Sequence, residues 1–292
     1  MQKIRNAAIL KYGLITVAIC FLISLFVYMQ FYIDEAVFLK HYYDIEINYN
    51  TNIDIHVITN SIDNRKINEI KFPQMPNDFA YVHIGNINYQ FNNRYYRTEK
   101  FTHYNYNIIS LEFQPINSYE KDNNEERAVL EKAVIKYDNG DVQEVNIGKI
   151  VLHKNRKQTE SLTSTYVSSS DDNSSTTVFI ANDNLTINSI TSNLDEEIKD
   201  IFNLSLNGKD IRQLNYPVHI TSDDSLTLDS QFKFATQDMR KYNAYEIQKR
   251  IALTDSEGNQ ESMRILNLNY QPAHVFLREK DIIQYFKEIG VK

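Results

Sequence analysis

The chain has a single cysteine, Cys20, inside a long apolar run, so no intrachain disulfide and no cysteine-based zinc site can form elsewhere. The rest must fold by burial alone, which 292 residues permit, since domains that depend on disulfides are usually small. Tryptophan is absent and glycine occurs only 7 times, while Asn, Ile, Lys and Tyr are abundant, a composition that suggests a low-GC bacterial genome. Glycosylation-type triplets at Asn173, Asn184 and Asn203 are then read as chance. Clustered Lys and Arg are also missing, and with a net charge of -7 and a pI near 5.6 nucleic acid is not an expected partner. Anionic headgroups would weakly repel such an exterior, so it is expected to stand off the membrane.

Catalytic motifs are equally scarce. The 7 histidines, among them His41, His56, His103 and His153, form no i, i+4 pair and no HExxH. There is no GxSxG, GxGxxG or phosphate loop, and the S-x-x-K matches at Ser118 and Ser230 lack the SDN and KTG motifs that complete that site. The acidic stretches 122–125 and 171–173 lack the twelve-residue spacing that gathers oxygens around calcium. The expectation is no catalytic residue, no cofactor and no metal ligand.

What is present begins with the uncharged run 12–33, set between Lys3, Arg5 and Lys11 on one side and Asp34 and Glu35 on the other. As a helix it would be roughly 33 Å long at 1.5 Å per residue, enough to cross a hydrocarbon core of about 30 Å. The basic flank predicts a cytoplasmic stub over 1–11 and an extracellular remainder, with Tyr12, Tyr28 and Tyr32 in the interfacial belts. No small-x-small site follows the run, which argues for an uncleaved signal anchor. Ile19 and Phe21 around Cys20 do not suit a lipoprotein signal, and Gln2 excludes myristoylation. Thr16, Cys20 and Ser24 form a stripe of small residues that could pair with another transmembrane helix or a second copy of this one.

Beyond the run the expected class is mainly β. A connector over 34–44 leads to period-two alternation in 45–153, such as Ile53, Ile55, Val57 and Ile109, Leu111, Phe113, with a hairpin turn at Asp138 to Asp141. A Ser, Asn and Asp-rich linker is expected over 154–176, and alternation resumes in 177–271. The two regions read as copies of one unit. Residues 50–55 match 182–187, 67–70 match 198–201, and the turn at Asp138 matches that at Asp255. Unit size and strand spacing point to two tandem immunoglobulin-like β-sandwiches. In 273–290, Ile282, Phe286 and Ile289 form the apolar stripe of a helix expected to dock on the second sandwich or its linker.

Tyr89, Arg94, Tyr95, Tyr96 and Arg97, with Tyr81, Tyr104 and Tyr106 nearby, concentrate the residue types of interface hot spots and form the candidate protein-contact patch. The reading that follows is a single-pass, membrane-anchored extracytoplasmic scaffold or binding protein that contacts the lipid bilayer and another envelope or secretion component. The alternative is a cell-envelope enzyme or ligand sensor whose site is assembled from scattered residues.

Overall fold

The apolar run becomes helix α1 (Gln2–Phe31), whose stretch Lys11–Phe31 is long and apolar enough to cross a membrane and is exposed from Lys11 as far as Val27. The computed structural model describes residues 2–48, 51–84, 96–116, 127–154, 161–170 and 173–292. The helix stops short of the expected boundary at 33 because Asn60 captures the backbone of Ile33. Its Oδ1 accepts the Ile33 N–H at 3.0 Å and its Nδ2 donates to the Ile33 carbonyl at 2.6 Å.

No free connector follows. Strands β1 (Val37–Phe38) and β2 (His41–Ile47) begin at once, and Ala36, Phe38, Leu39 and Tyr43 are buried. The expected connector over 34–44 is therefore part of the body. Its strand character is hidden in the sequence because His41 and Asp44 look like surface residues yet lie buried among hydrogen-bond partners.

The first half continues with β3 (Thr51–Asn60), β4 (Ile67–Lys71), β5 (Ala80–Ile84), β6 (Tyr96–Lys100), β7 (Tyr104–Pro115), β8 (Arg127–Tyr137) and β9 (Val142–Lys154). The second half holds β10 (Leu162–Ser170), β11 (Ser174–Ala181), β12 (Leu185–Thr191), the one-turn helix α2 (Asp195–Ile198), β13 (Phe202–Leu206), β14 (Lys209–Asp210), β15 (Val218–Ile220), β16 (Ser225–Phe232), β17 (Ala244–Thr254) and β18 (Gln260–Tyr270). Helix α3 (Glu279–Glu288) follows.

One five-stranded sheet runs β1-β3-β7-β5, with β6 also on β7, and another runs β10-β11-β16-β13-β14. Between them an eight-stranded sheet runs β15-β12-β17-β2-β9-β8-β4, with β18 also on β17. Ile53, Leu111 and Phe113 of the first sheet meet Ile45, Leu130 and Leu152 of the large sheet in one core. Phe179, Leu204 and Leu228 of the other sheet meet Ile187, Ile251 and Leu268 in a second. Alternating inward residues thus serve two layers in each half.

Three expectations need correction. The linker over 154–176 contains most of a hairpin, with β10 followed by a turn at Asn173 (φ 62) into β11. Only Leu162 of β10 is buried, so this edge strand has no apolar alternation to read, and its Ser and Thr are compatible with a strand. The match of 50–55 with 182–187 joins strands in different positions: β3 lies in a five-stranded sheet and β12 in the large one. Strand β3 pairs with β7 and β11 with β16, the strands that precede the hairpins β8-β9 and β17-β18. Residues 67–70 lie in β4, whereas 198–201 are the end of α2 and a turn. The turns at Asp138 and Asp255 both close antiparallel hairpins, β8-β9 and β17-β18. Finally, α3 does not dock on the second half alone. Its Ile282, Tyr285 and Phe286 are buried in a third core with Ile33, Leu39, Ile58, Tyr104 and Tyr106 from the first half and Tyr242 from the second.

The halves are joined along a sheet. Strand β2 runs parallel to β9, with His41 opposite Gly148, and parallel to β17, with His41 opposite Ala244. Gly148 has φ +100, and a Cβ there would lie 2.3 Å from the His41 carbonyl oxygen, so only glycine allows this approach.

Candidate functional site

Several parts of the chain converge where α1 enters the body. The last carbonyls of a helix lack intrahelical partners, and here the body supplies them. Tyr104 Oη donates to the Phe31 carbonyl at 2.7 Å, and the Lys292 ammonium donates to the Gln30 carbonyl, where a cation suits the negative end of the helix dipole. The His103 ring stacks on Phe31 with centroids 4.3 Å apart and pairs with the Glu279 carboxylate, which also accepts the Thr102 N–H at 3.0 Å. Residues from β3, β7, α3 and the tail thereby converge on one turn of α1. Only the stripe on α3 hinted at this from sequence. Ile282 and Phe286 are fully buried as expected for an apolar stripe, whereas Ile289 is exposed.

Beside this clamp lies a polar pocket of about 540 Å³ lined by Tyr32, Asp34, Asn60, Ile62, Asp63, Arg65 and Asp138. A larger cleft of about 1050 Å³ opens farther along the first half, between β4 and β5, and is lined by Lys71, Phe72, Met75, Val82, His83, Ile84 and Glu112. Among the described residues these strands end their sheets, so each presents an edge of backbone groups to the cleft.

Of the candidate contact patch, Tyr89, Arg94 and Tyr95 lie outside the described residues; Tyr96 opens β6, and Arg97 on β6 is exposed. Tyr81 is exposed beside the cleft, but Tyr104 and Tyr106 are fully buried. Strand β7 is covered on one face by the first core and on the other by the α3 core, so its tyrosines point into protein. Thr16, Cys20 and Ser24 share one face of α1 and are all exposed.

Two buried polar groups went unpredicted. Asp44 on β2, fully buried, has Oδ1 2.8 Å from His153 Nε2 and 3.0 Å from Arg264 Nη1, while Oδ2 accepts from Ser192 Oγ and the Asn193 N–H, both at 2.6 Å. Burial alone would raise this carboxyl's pKa. The hydrogen bond from His153, the charge of Arg264 and the bonds from Ser192 and Asn193 outweigh it and hold it well below the usual range. Ser, His and Asp meet here, but the serine donates to the aspartate rather than to His153, and Asp44 and His153 are themselves buried. It is a bolt between the halves, since its members come from β2, β9, β18 and the loop after β12.

In the second group His41 Nε2 accepts the His56 N–H at 2.9 Å, and Tyr106 Oη lies 2.7 Å from His56 Nδ1. Burial pushes His56 down to about 4, and burial together with His56 drives His41 well below 6.5, so both rings are neutral. Among the described residues no three His, Cys, Asp or Glu side chains are placed to hold a metal ion.

No family model and no curated protein matches this chain. Among solved structures it is similar to the titin domains Z1Z2 in complex with telethonin, at 8% identity and TM-score 0.16, over 81% of this chain and 96% of that one. It is also similar to a chimeric titin Z1Z2 functionalized with an exogenous decorin peptide, at 9% identity and TM-score 0.16, over 79% and 95%. At such TM-scores the likeness carries no argument.

Proposed function

We propose that this chain is a single-pass membrane protein whose β-rich body, held on the extracytoplasmic face of a bacterial cell membrane, acts as a scaffold or binding protein for another envelope component. The observation that carries this reading is α1, an apolar helix exposed from Lys11 as far as Val27 and then clamped onto the body within one turn. Bare apolar area on that scale needs a lipid solvent, and a rigid exit suits a protein whose task is to hold a surface in place. Lys3, Arg5 and Lys11 before the span support an inside N-terminus.

The body is proposed to be two copies of an immunoglobulin-like unit. The pairing orders β1-β3-β7-β5 with β9-β8-β4, and β10-β11-β16-β13 with β18-β17-β12, both follow the ABED and GFC scheme of that class. For the partner surface we propose the cleft between β4 and β5, where exposed Tyr81 would flank an added strand. The stripe Thr16, Cys20 and Ser24 is proposed to pair α1 with a second helix; Leu at all three positions would then abolish association in a membrane reporter assay.

Carbonate-washed membranes should retain the full chain, and an alkaline-phosphatase fusion at Lys292 should be active. An inactive fusion would reverse the topology. Crosslinking in intact cells should recover a recurrent envelope partner, and its loss on Tyr81→Asp would assign the cleft.

A further inference from the structure

Both ends of α3 meet α1 at one height. Glu279 does so through His103, whose ring lies 5.7 Å from that of Tyr28 and 4.3 Å from that of Phe31, and the tail does so through Lys292 at Gln30. Helix α3, of 10 residues, is thus held to one turn of α1 by Glu279 at its start, through His103, and by Lys292 in the tail beyond its end. That turn closes the apolar stretch ending at Phe31, so it marks the outer edge of the hydrocarbon core.

Exposed large apolar side chains collect around the same turn. Ile62 is 58% exposed and lines the exit pocket with Tyr32 and Asp34; Ile289 and Val291, each 41% exposed, follow α3 beside Lys292. Val142, 64% exposed, precedes Gln143, whose amide bonds the Ala36 carbonyl at 2.9 Å. A folded body gains nothing from leaving these in water. We propose that this rim sits in the headgroup layer of the bilayer that α1 spans and inserts Ile62, Ile289 and Val291 toward the acyl boundary, so that the protein meets the membrane by a face as well as by a span.

The chemistry of the rim fits that boundary. Lys287, exposed on α3, can extend its ammonium group to headgroup phosphates while its stem lies along apolar surface. Asp34, Asp63 and Asp138 line a pocket that stays hydrated at headgroup depth. Net charge suggested a body that stands off the membrane, but the clamp leaves no connector to give it distance.

This inference rests on α1 being a span, and one experiment separates the two. The chain has no tryptophan, so a single introduced one is the only indole. Full-length Ile62→Trp, Ile289→Trp, Val291→Trp, Leu22→Trp and Val167→Trp are reconstituted in phosphatidylcholine vesicles with a minor share of phosphatidylglycerol, with and without brominated acyl chains. Indole in the three rim variants should emit to the blue and lose intensity to the brominated lipid, while at position 167, on β10, it should do neither. Quenching at position 22 with none at the rim overturns the rim contact and leaves the span standing. Blue emission at the rim without lipid quenching means that protein covers the face, which also overturns it. No quenching at position 22 removes the span and this inference together.

Discussion

Gly148 shows how one residue governs the joining of the halves. Any side chain there collides with the His41 backbone, and its φ of +100 is strained for any other residue. Gly148→Ala should therefore cost more than about 2 kcal/mol and lower the melting temperature by several degrees, whereas Gly140→Ala, with open space around it, should cost less. His41 and His56 set a pH response. Their folded pKa values lie below the ordinary 6.5, so between about pH 6.5 and 4 the unfolded chain binds more protons than the folded one. Stability is full above that window and falls as pH drops through it. A melting series from pH 7.5 to 4.5 should show this fall, and His56→Gln should flatten part of it. A chain equally stable at both ends would contradict the neutral assignment.

At the level of elements, what could be read from the sequence was whatever packs one face and exposes the other. Helix α1, the β8-β9 and β17-β18 hairpins and the stripe of α3 satisfy that condition. Strand β2 escaped because it is buried on both faces with its polar residues satisfied inside, and β10 escaped because it is buried on almost none of its length. The clamp could not be read because Asn60, Tyr104, Glu279 and Lys292 are brought together only by the fold. Phe286→Ala, which opens the core under α3, should cost about 3–5 kcal/mol if α3 stays seated. Hydrogen exchange would locate the effect, with protection lost in α3 and the tail while β9 amides keep theirs.

For the whole molecule, the pairing of β2 with both β9 and β17 in one sheet predicts shared unfolding. The bolt at Asp44 joins four elements, and removing one partner of a buried charge group typically costs about 3–5 kcal/mol because the others stay buried and unpaired. Asp44→Ala should lower the unfolding free energy by that amount in denaturant titration. Calorimetry of the full chain in detergent should give one transition rather than two, and two well-separated peaks would show that the halves fold independently despite the common sheet.

Strand β2 follows α1 almost directly and lies parallel between β9 and β17. If a partner pulls on the body while the membrane holds α1, tension runs along β2, parallel to its neighbours and across its hydrogen bonds. Those bonds then bear load together in shear instead of peeling apart one at a time. The strand that joins the two halves is also the one through which the molecule resists being pulled off its anchor.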